Sequence, residues 1–405
     1  MISLASRALA ATTAIQAAVA CAALTVPSIA PVVAAQLGVA DSTVGTYISL
    51  LYVGASTAAL AGGGVVQRYG AIRLSQCGLL LCACGLLLTM LAQVGPGAVG
   101  LGAMALAATL IGLGYGPITP ASSHVLARTT PPDKMALTFS IKQTGVPAGT
   151  ALAGMLAPLL TVAFGWPAAV TAIALGCVAI AWIAQPLRAP LDVDRDPAAR
   201  LSARALVGGL ALVARSPALR TMALVSFVYA GMQMAVSGFM VSYLHGEVGL
   251  GLVAAGGALT AANVAGVVAR IAWGSVSDRT AAPRATLAVI GVLMAAASFA
   301  TTFVSAAWPM SAIFFVAAAL GATAIGWNGV YLSEIARLAP AGEAGRATGG
   351  CLFFTFVGVV ILPFLFGWLQ RASGSYAVCF GAAAVVCLAV AVVLFATGRS
   401  RAAVA

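Results

Sequence analysis

The chain alternates between long apolar runs and short polar connections. Twelve of these runs are 20 residues or longer, the length that a helix needs to cross the hydrocarbon core of a bilayer. A transmembrane β-barrel would need short segments of alternating polarity, and these runs do not alternate. The pattern therefore predicts an all-α membrane protein. The predicted spans are 9–35, 42–66, 74–93, 98–122, 137–162, 167–186, 218–243, 252–276, 286–305, 309–332, 347–369 and 375–397.

Composition strengthens this prediction and excludes several other classes of protein. Of the 405 residues, 62% are hydrophobic and 7% are charged, whereas an ordinary globular domain is about one quarter charged. The net charge of +11 does not indicate a nucleic-acid binder, because the cations are scattered among the connections rather than gathered on one face. The eight cysteines lie in apolar runs without a CxxC pair, so we expect neither a metal site nor disulfides.

The cations predict the orientation of the chain in the membrane. Seventeen of the 20 Lys and Arg residues fall on one side of the predicted spans, and Arg371 alone falls on the other. The positive-inside rule then places both termini in the cytoplasm, as in a multi-pass protein of the plasma membrane, or of the inner membrane in bacteria. The first apolar run is too long for a signal peptide, so we expect it to remain as a span.

One long polar connection divides the chain into two halves. It predicts an N-terminal six-helix bundle at 1–187, a cytoplasmic linker at 188–217 and a C-terminal six-helix bundle at 218–405. Two interpretations of residues 200–215 stay open: a short amphipathic helix on the membrane surface, or a solvated connector.

A weak internal repeat supports the division. Gly63 to Arg73 follow the second span, and Gly274 to Arg284 follow the eighth, which places Gln67 and Asp278 211 positions apart. The fourth and tenth spans both end in Ala-Arg, at Arg128 and Arg337, 209 positions apart. Parallel duplicated halves are one of the known architectures of transporters.

These loops resemble the major facilitator superfamily, whose second and third spans are joined by the pattern Gly-x-Leu-Ala-Asp-Arg-x-Gly-Arg-Lys. Gly63, Arg68 and Gly70 match it, but Gln67 replaces the Asp. The second copy keeps Gly274, Asp278 and Arg279. The resemblance covers nearly the whole chain and implies a fold of twelve helices in two six-helix bundles.

In that family the loop acts as a cytoplasmic latch. The resemblance implies that Asp278 and Arg279 carry most of the gating, because Gln67 cannot form the usual ionic contact. The alternative, in which these charges only set topology, stays open. The full set of expected gating residues is Gly63, Arg68, Gly70, Asp278, Arg279, Glu334 and Arg337, the last two being spaced as a local i, i+3 ion pair.

Two charged side chains lie well inside apolar runs, and both are cations. Charge at membrane depth costs about 2.5–3.5 kcal/mol by insertion scales and is usually functional. Lys142 and Arg270 have no acidic residue at comparable depth in the sequence, which suggests that a substrate anion supplies the counter-charge. For each residue the alternative is a side chain that snorkels to the cytoplasmic surface.

The Arg270–Gly274–Asp278 spacing is similar to the eighth helix of monocarboxylate and oxalate/formate carriers, where the Arg binds a carboxylate. In the family fold the fifth and eighth helices face each other, so the resemblance implies that Lys142 and Arg270 meet in a central cavity. A carboxylate could then accept from both.

Other polar residues could contribute to this cavity or bond neighbouring helices instead. The candidates are Gln143, Tyr115, Asn328, Gln233 and Asn263. A mid-membrane carboxylate that could carry a proton is missing from the sequence, so symport of a protonated acid or exchange of anions are the expected forms of coupling.

The sequence thus predicts a monomeric secondary transporter that moves a small organic anion by alternating access and uses no cofactor. The main alternative is an efflux pump for hydrophobic drugs or metabolites. A non-transporting sensor is a further alternative, although such proteins usually carry a soluble domain. An enzyme is not expected, because the sequence has no nucleophile elbow, metal-ligand set or phosphate loop.

Overall fold

A computed structural model describes residues 3–38, 44–93, 97–199 and 207–402. Across these residues the secondary structure is helical, and twelve helices are long and apolar enough to cross a membrane. The prediction of an all-α membrane protein with twelve spans is confirmed. The observed spans are Leu4–Ser28, Gly45–Tyr69, Ala71–Gln93, Ala98–Thr129, Pro132–Phe164, Trp166–Leu191, Pro217–Glu247, Leu252–Thr280, Pro283–Thr301, Met310–Leu338, Ala344–Ser373 and Tyr376–Ala396.

Several spans consist of more than one helix. The α-helices in chain order are α1 (Leu4–Ser28), α2 (Ala30–Leu37), α3 (Val44–Tyr69), α4 (Ala71–Leu88), α5 (Ala98–Tyr115), α6 (Ile118–Thr129), α7 (Met135–Gln143), α8 (Gly145–Phe164), α9 (Trp166–Ile183), α10 (Arg188–Leu191), α11 (Gly208–Arg215), α12 (Pro217–Ser242), α13 (Leu252–Thr280), α14 (Pro283–Thr301), α15 (Met310–Ala324), α16 (Asn328–Leu338), α17 (Ala344–Ser373) and α18 (Tyr376–Ala402). The fourth, fifth and tenth spans are interrupted between α5 and α6, α7 and α8, and α15 and α16. Interruptions at membrane depth are tolerated where protein buries them.

The chain forms two compact units whose limits differ from the halves of the sequence. The first unit contains residues 1–130, 142–215 and 339–353, and the second contains 131–141, 216–338 and 354–405. Each unit therefore includes a short segment from the other half of the sequence: the start of α7 in the second unit, and the start of α17 in the first.

Within the first unit, α1 packs closely against α8. A side chain at Gly145 would place its Cβ 2.7 Å from the carbonyl oxygen of Thr13, and Gly149 lies one turn further along α8, against Ala17. Small residues four apart let two membrane helices approach backbone to backbone. This close contact positions the residues just before α8, including Lys142, beside α1.

Within the second unit, aromatic side chains support the interrupted tenth span. Trp327 lies in the break between α15 and α16 and contacts Tyr229 and Tyr331 edge-on, with ring centroids 5.7 and 5.1 Å away. The Tyr229 hydroxyl donates to the carbonyl of Leu287 at 3.0 Å, which satisfies its polar end. The break is therefore packed against Tyr229 of the neighbouring helix α12 and Tyr331 of α16 in the same span.

Part of the predicted linker lies within the described residues. Residues 208–215 form helix α11, whose Gly209 and Val213 are buried. Residues 200–206, including Arg200 and Arg204, lie outside the described part of the chain. The structure can therefore be compared with the predicted amphipathic helix at 200–215 only from residue 207 onwards.

Candidate functional site

Lys142 is buried in the first unit among neutral oxygens. It lies in the last turn of α7, with 1% of its surface exposed. Its ammonium donates to Gln16 Oε1 on α1 at 2.7 Å and approaches Thr119 Oγ1 on α6 at 3.4 Å. In the part of the chain that the structure describes, no carboxylate pairs with it. Lys142 does not snorkel to the surface.

Three interrupted or adjoining helices create this arrangement. Thr119 follows the break after α5, and Lys142 precedes the break at Thr144. The end of a helix carries partial negative charge from its unpaired carbonyls, which favours a cation in the last turn. The ammonium is therefore stabilised by dipoles and hydrogen bonds, which compensate only part of the cost of burying a charge.

Arg270 is also buried, in the second unit, with 3% of its surface exposed. Its Nε donates to the carbonyl oxygen of Ile325 at 2.8 Å, in the break between α15 and α16. Asn328 donates to the same carbonyl at 3.4 Å and to Gln233 Oε1 at 3.2 Å. The structure thus brings three predicted site residues, Arg270, Asn328 and Gln233, around one helix break.

The remaining predicted substrate residues have different surroundings. Asn263 is exposed and donates to the carbonyl of Leu259 in its own helix at 2.9 Å. Tyr115 is half-buried at the end of α5 and packs against the core of the first unit. Gln143 is buried next to Lys142. These three positions remain predictions.

In the first copy of the loop motif, a neutral amide bonds both members of an ion pair. Gln67 donates to Glu343 Oε1 at 3.0 Å and accepts from Arg346 Nη2 at 2.8 Å. Glu343 and Arg346 are themselves paired at 3.0 Å at the start of α17. At Gly63, a Cβ would collide with the backbone of Arg346, so this copy is closely packed on α17.

The second copy makes an ionic cap. Asp278 accepts from the backbone N–H of Ala136 at 2.9 Å and of Leu137 at 2.8 Å, both in the first turn of α7. A carboxylate at a helix N-terminus satisfies unpaired N–H groups and favours the helix dipole. Arg279, by contrast, is exposed on its helix.

Glu334 has a second ion-pair partner that the sequence did not indicate. Arg337 contacts it at 3.4 Å as expected, but Arg284 Nε donates to its Oε1 at 2.7 Å. Arg337 is 48% exposed, whereas Arg284 is 16% exposed, and a less solvated pair is worth more. The i, i+3 spacing pointed to the weaker partner, because sequence spacing reveals only contacts within one helix.

A segment of the linker, residues 191–199, binds to the first loop copy. We call it the linker strap. Asp192 accepts from the backbone N–H of Ile72 at 2.8 Å and of Arg73 at 3.1 Å, so it caps α4. Gly70 has a φ of 92° and leaves room for this carboxylate, which a Cβ would strike. In the structure Gly70 thus forms the turn before α4 and leaves space for the capping carboxylate of Asp192.

Further bonds hold the linker strap. The backbone N–H of Asp196 donates to the Gln67 carbonyl at 2.7 Å, and Arg68 Nη1 donates to the Ala199 carbonyl at 3.1 Å. Asp194 contacts His124 Nε2 at 2.6 Å and pairs with Arg128. Arg68 therefore binds the linker in this structure, an interaction that its position in the motif did not indicate.

Asp192 and Asp194 of the strap have pKa shifts in opposite directions. Burial raises the pKa of Asp192, and its bonds to the N–H groups of Ile72 and Arg73 offset only part of this effect. Burial also acts to raise the pKa of Asp194, but the hydrogen bond from Arg128 and the charge of His124 outweigh it, so the pKa is lowered. Asp194 therefore stays ionised to more acidic pH, and its pairing is lost only as pH falls through that lowered pKa.

Comparison with known proteins identifies the fold. The sequence profile of the Major Facilitator Superfamily matches residues 12–349. The chain belongs to this superfamily. Members of the superfamily are membrane transporters of small molecules, and this chain is accordingly a multi-pass transporter. A search of curated protein sequences found no significant match.

Solved superfamily structures share this fold at low sequence identity. FucP, the E. coli fucose:proton symporter, aligns in its outward conformation with a TM-score of 0.77 and 18% identity, over 97% of this chain and 98% of that one. A bacterial homologue of the iron transporter ferroportin gives 0.75 and 17%, over 97% and 99%. The human organic anion transporter MFSD10 gives 0.73 and 14%, over 96% and 99%. Because these proteins are named for different substrates, the shared fold does not select one.

Proposed function

We propose that this chain is a secondary transporter that carries a small organic anion, a carboxylate, across the plasma membrane by alternating access. The observation that carries the proposal is the buried ammonium of Lys142, whose partners Gln16 and Thr119 are neutral. A buried charge without an opposite charge costs free energy. A bound carboxylate would remove that cost, so it is the ligand that the site favours.

Arg270 supports the same substrate class. Its guanidinium is buried beside an interrupted helix, a feature that transporters use at their binding sites. Guanidinium groups bind carboxylates through paired N–H donors. We propose that each cation binds a substrate carboxylate, that Asn328 and Gln233 orient Arg270, and that Asn263, Tyr115 and Gln143 contact the substrate.

The latch and topology complete the proposal. We propose that Asp278 and Arg279 gate the cytoplasmic side, together with Gly63, Arg68, Gly70, Glu334 and Arg337. The distribution of cations supports cytoplasmic termini, and we propose that the transporter acts as a monomer built from two six-helix halves.

The test uses the two lysines of the chain. Purified protein is heated with formate, acetate, lactate or oxalate, with chloride at matched ionic strength as the reference, because a ligand that binds the folded state raises Tm. Uptake of a stabilising anion into proteoliposomes is then measured for Lys142→Met and Arg270→Met. Lys134→Met is the control, since Lys134 is exposed in the connection before α7.

We expect at least one carboxylate to stabilise the wild-type protein and the Lys134→Met variant. The Lys142→Met variant should lose both stabilisation and uptake while retaining its fold, and Arg270→Met should lose uptake. Normal uptake by both variants would refute the anion site. Stabilisation by neutral hydrophobic compounds alone would favour the efflux alternative.

A further inference from the structure

Gln16 on α1 has an unsatisfied hydrogen-bond donor in the interior of the first unit. Its side chain is fully buried, and among the described residues no atom accepts from its Nε2. Leaving a buried donor unpaired costs the free energy of removing it from water. Such exceptions in a folded protein require an explanation, such as a missing water, an ion or a ligand.

The orientation of this amide is determined by its neighbours. Gln16 Oε1 lies 2.7 Å from the Lys142 ammonium and 3.1 Å from the Thr119 hydroxyl, which donates to it. An ammonium has only donors, so the amide atom that faces it must be the oxygen. Rotating the amide by 180° would place a donor against a donor. The NH₂ group of Gln16 is therefore held in place without a partner of its own.

We propose that Gln16 is the second contact of the carboxylate, which takes one N–H from Lys142 and one from Gln16. This inference rests on the proposed anion site and identifies a residue of it on α1. The ammonium has three N–H groups, and its bonds with Gln16 and Thr119 use two. One remains, so a ligand with two oxygens can satisfy the ammonium and the amide together.

Gln16 also explains how Lys142 is held while the site is empty. Its oxygen keeps the ammonium in position, which removes the need for an acidic residue that would compete with the substrate. A carboxylate at position 16 would occupy the same place as the amide and neutralise Lys142 permanently. The neutral amide therefore suits a site that must release its anion in every transport cycle.

Two matched substitutions test this role. Gln16→Glu keeps the oxygen that faces Lys142 but replaces the NH₂ donor with a charged oxygen. Gln76→Glu is the control in the same unit, because Gln76 is also buried, but its Nε2 donates to the Ala181 carbonyl at 2.9 Å and to Gln185 Oε1 at 2.8 Å. The readouts are Tm without ligand and the affinity for formate, acetate, lactate and oxalate.

We expect Gln16→Glu to raise the Tm of the ligand-free protein by about 2–4 °C and to weaken carboxylate binding by at least about 100-fold. Gln76→Glu should lower Tm and leave the carboxylate affinity unchanged. Unchanged affinity in Gln16→Glu would overturn the role of Gln16, as would a lower Tm. That outcome leaves the anion site intact if Lys142→Met still abolishes binding. If wild-type protein and Lys142→Met respond identically to all four carboxylates, the proposed function fails first, and this inference fails with it.

Discussion

The two copies of the loop motif hold their neighbouring helices in different ways. In the first copy, Gln67 bonds both members of the Glu343–Arg346 ion pair at the start of α17. In the second copy, Asp278 bonds two backbone N–H groups at the start of α7. One copy thus uses side-chain amide contacts, and the other uses a charge at a helix end.

The difference shows how the first copy works without its carboxylate. Replacing the expected Asp by Gln67 removes a negative charge that would repel Glu343, and the amide can donate to one partner while accepting from the other. A carboxylate still binds near this loop, but it is Asp192 of the linker strap, and it caps α4. The first copy therefore depends on the linker as well as on α17.

Removing the polar side chain from each copy should produce the largest difference between them. Asp278→Ala leaves two N–H groups of α7 without acceptors and should cost about 1–3 kcal/mol and reduce uptake about tenfold. Gln67→Ala should cost about 0.5–1.5 kcal/mol, since Glu343 and Arg346 remain paired. Thermal unfolding and proteoliposome uptake measure both effects. Equal losses of stability in the two variants would contradict the view that the charge of Asp278 stabilises the second copy more than the amide of Gln67 stabilises the first.

Adding a methyl group at the glycine that begins each copy should destabilise the first copy more than the second. A Cβ at Gly63 would strike the backbone of Arg346, which cannot rotate away, whereas at Gly274 it would meet mainly the side chain of Ser140. Gly63→Ala should cost about 1–3 kcal/mol and Gly274→Ala less.

The control for the second glycine is the double variant Gly274→Ala, Ser140→Ala. It removes the Ser140 hydroxyl and should recover part of the lost stability. A larger loss of Tm in Gly274→Ala than in Gly63→Ala would show that the second copy is the more closely packed.

The smallest expected difference between variants concerns the linker strap, whose Asp192 caps α4 at the end of the first copy. Asp192→Ala removes the cap of α4 and should cost about 0.5–2 kcal/mol. Asp196→Ala is the control and should stay within about 0.5 kcal/mol, because its side chain is exposed and accepts from the N–H of Ala198 within an exposed turn. Trypsin cleavage after Arg195 should be faster in Asp192→Ala; identical cleavage rates in both variants would mean that the cap does not hold the strap.

The sequence predicted the twelve spans well because membrane insertion depends on a local sum of apolar residues over about 20 positions. It did not predict where the spans break. Gly116 and Pro117 mark the break in the fourth span, and a careful interpretation of that pair could have suggested it. The break at Ile325–Trp327 carries no proline, and its Ile325 carbonyl is bonded by Arg270 from another helix.

The candidate site was only partly visible in the sequence. Lys142 and Arg270 stood out because charge within apolar runs is rare, and burial confirms that neither lies at the surface. Gln16 lies in the first apolar run, but its unsatisfied donor follows from its contacts with Lys142 and Thr119, which only the structure shows. The sequence also missed the pairing of Glu334 with Arg284 and the cap that Asp192 forms on α4, because both are contacts between distant segments.

The sequence by itself determined the class of this protein, its twelve spans and its two intramembrane cations, because each follows from residue types within one continuous segment. Only the tertiary structure decided the partners of those residues. Gln16 and Lys142 are 126 positions apart, and Asp192 and Ile72 are 120 apart. Hydrogen bonds require contact within about 3 Å, and contacts between distant segments are set by how helices pack rather than by any local pattern.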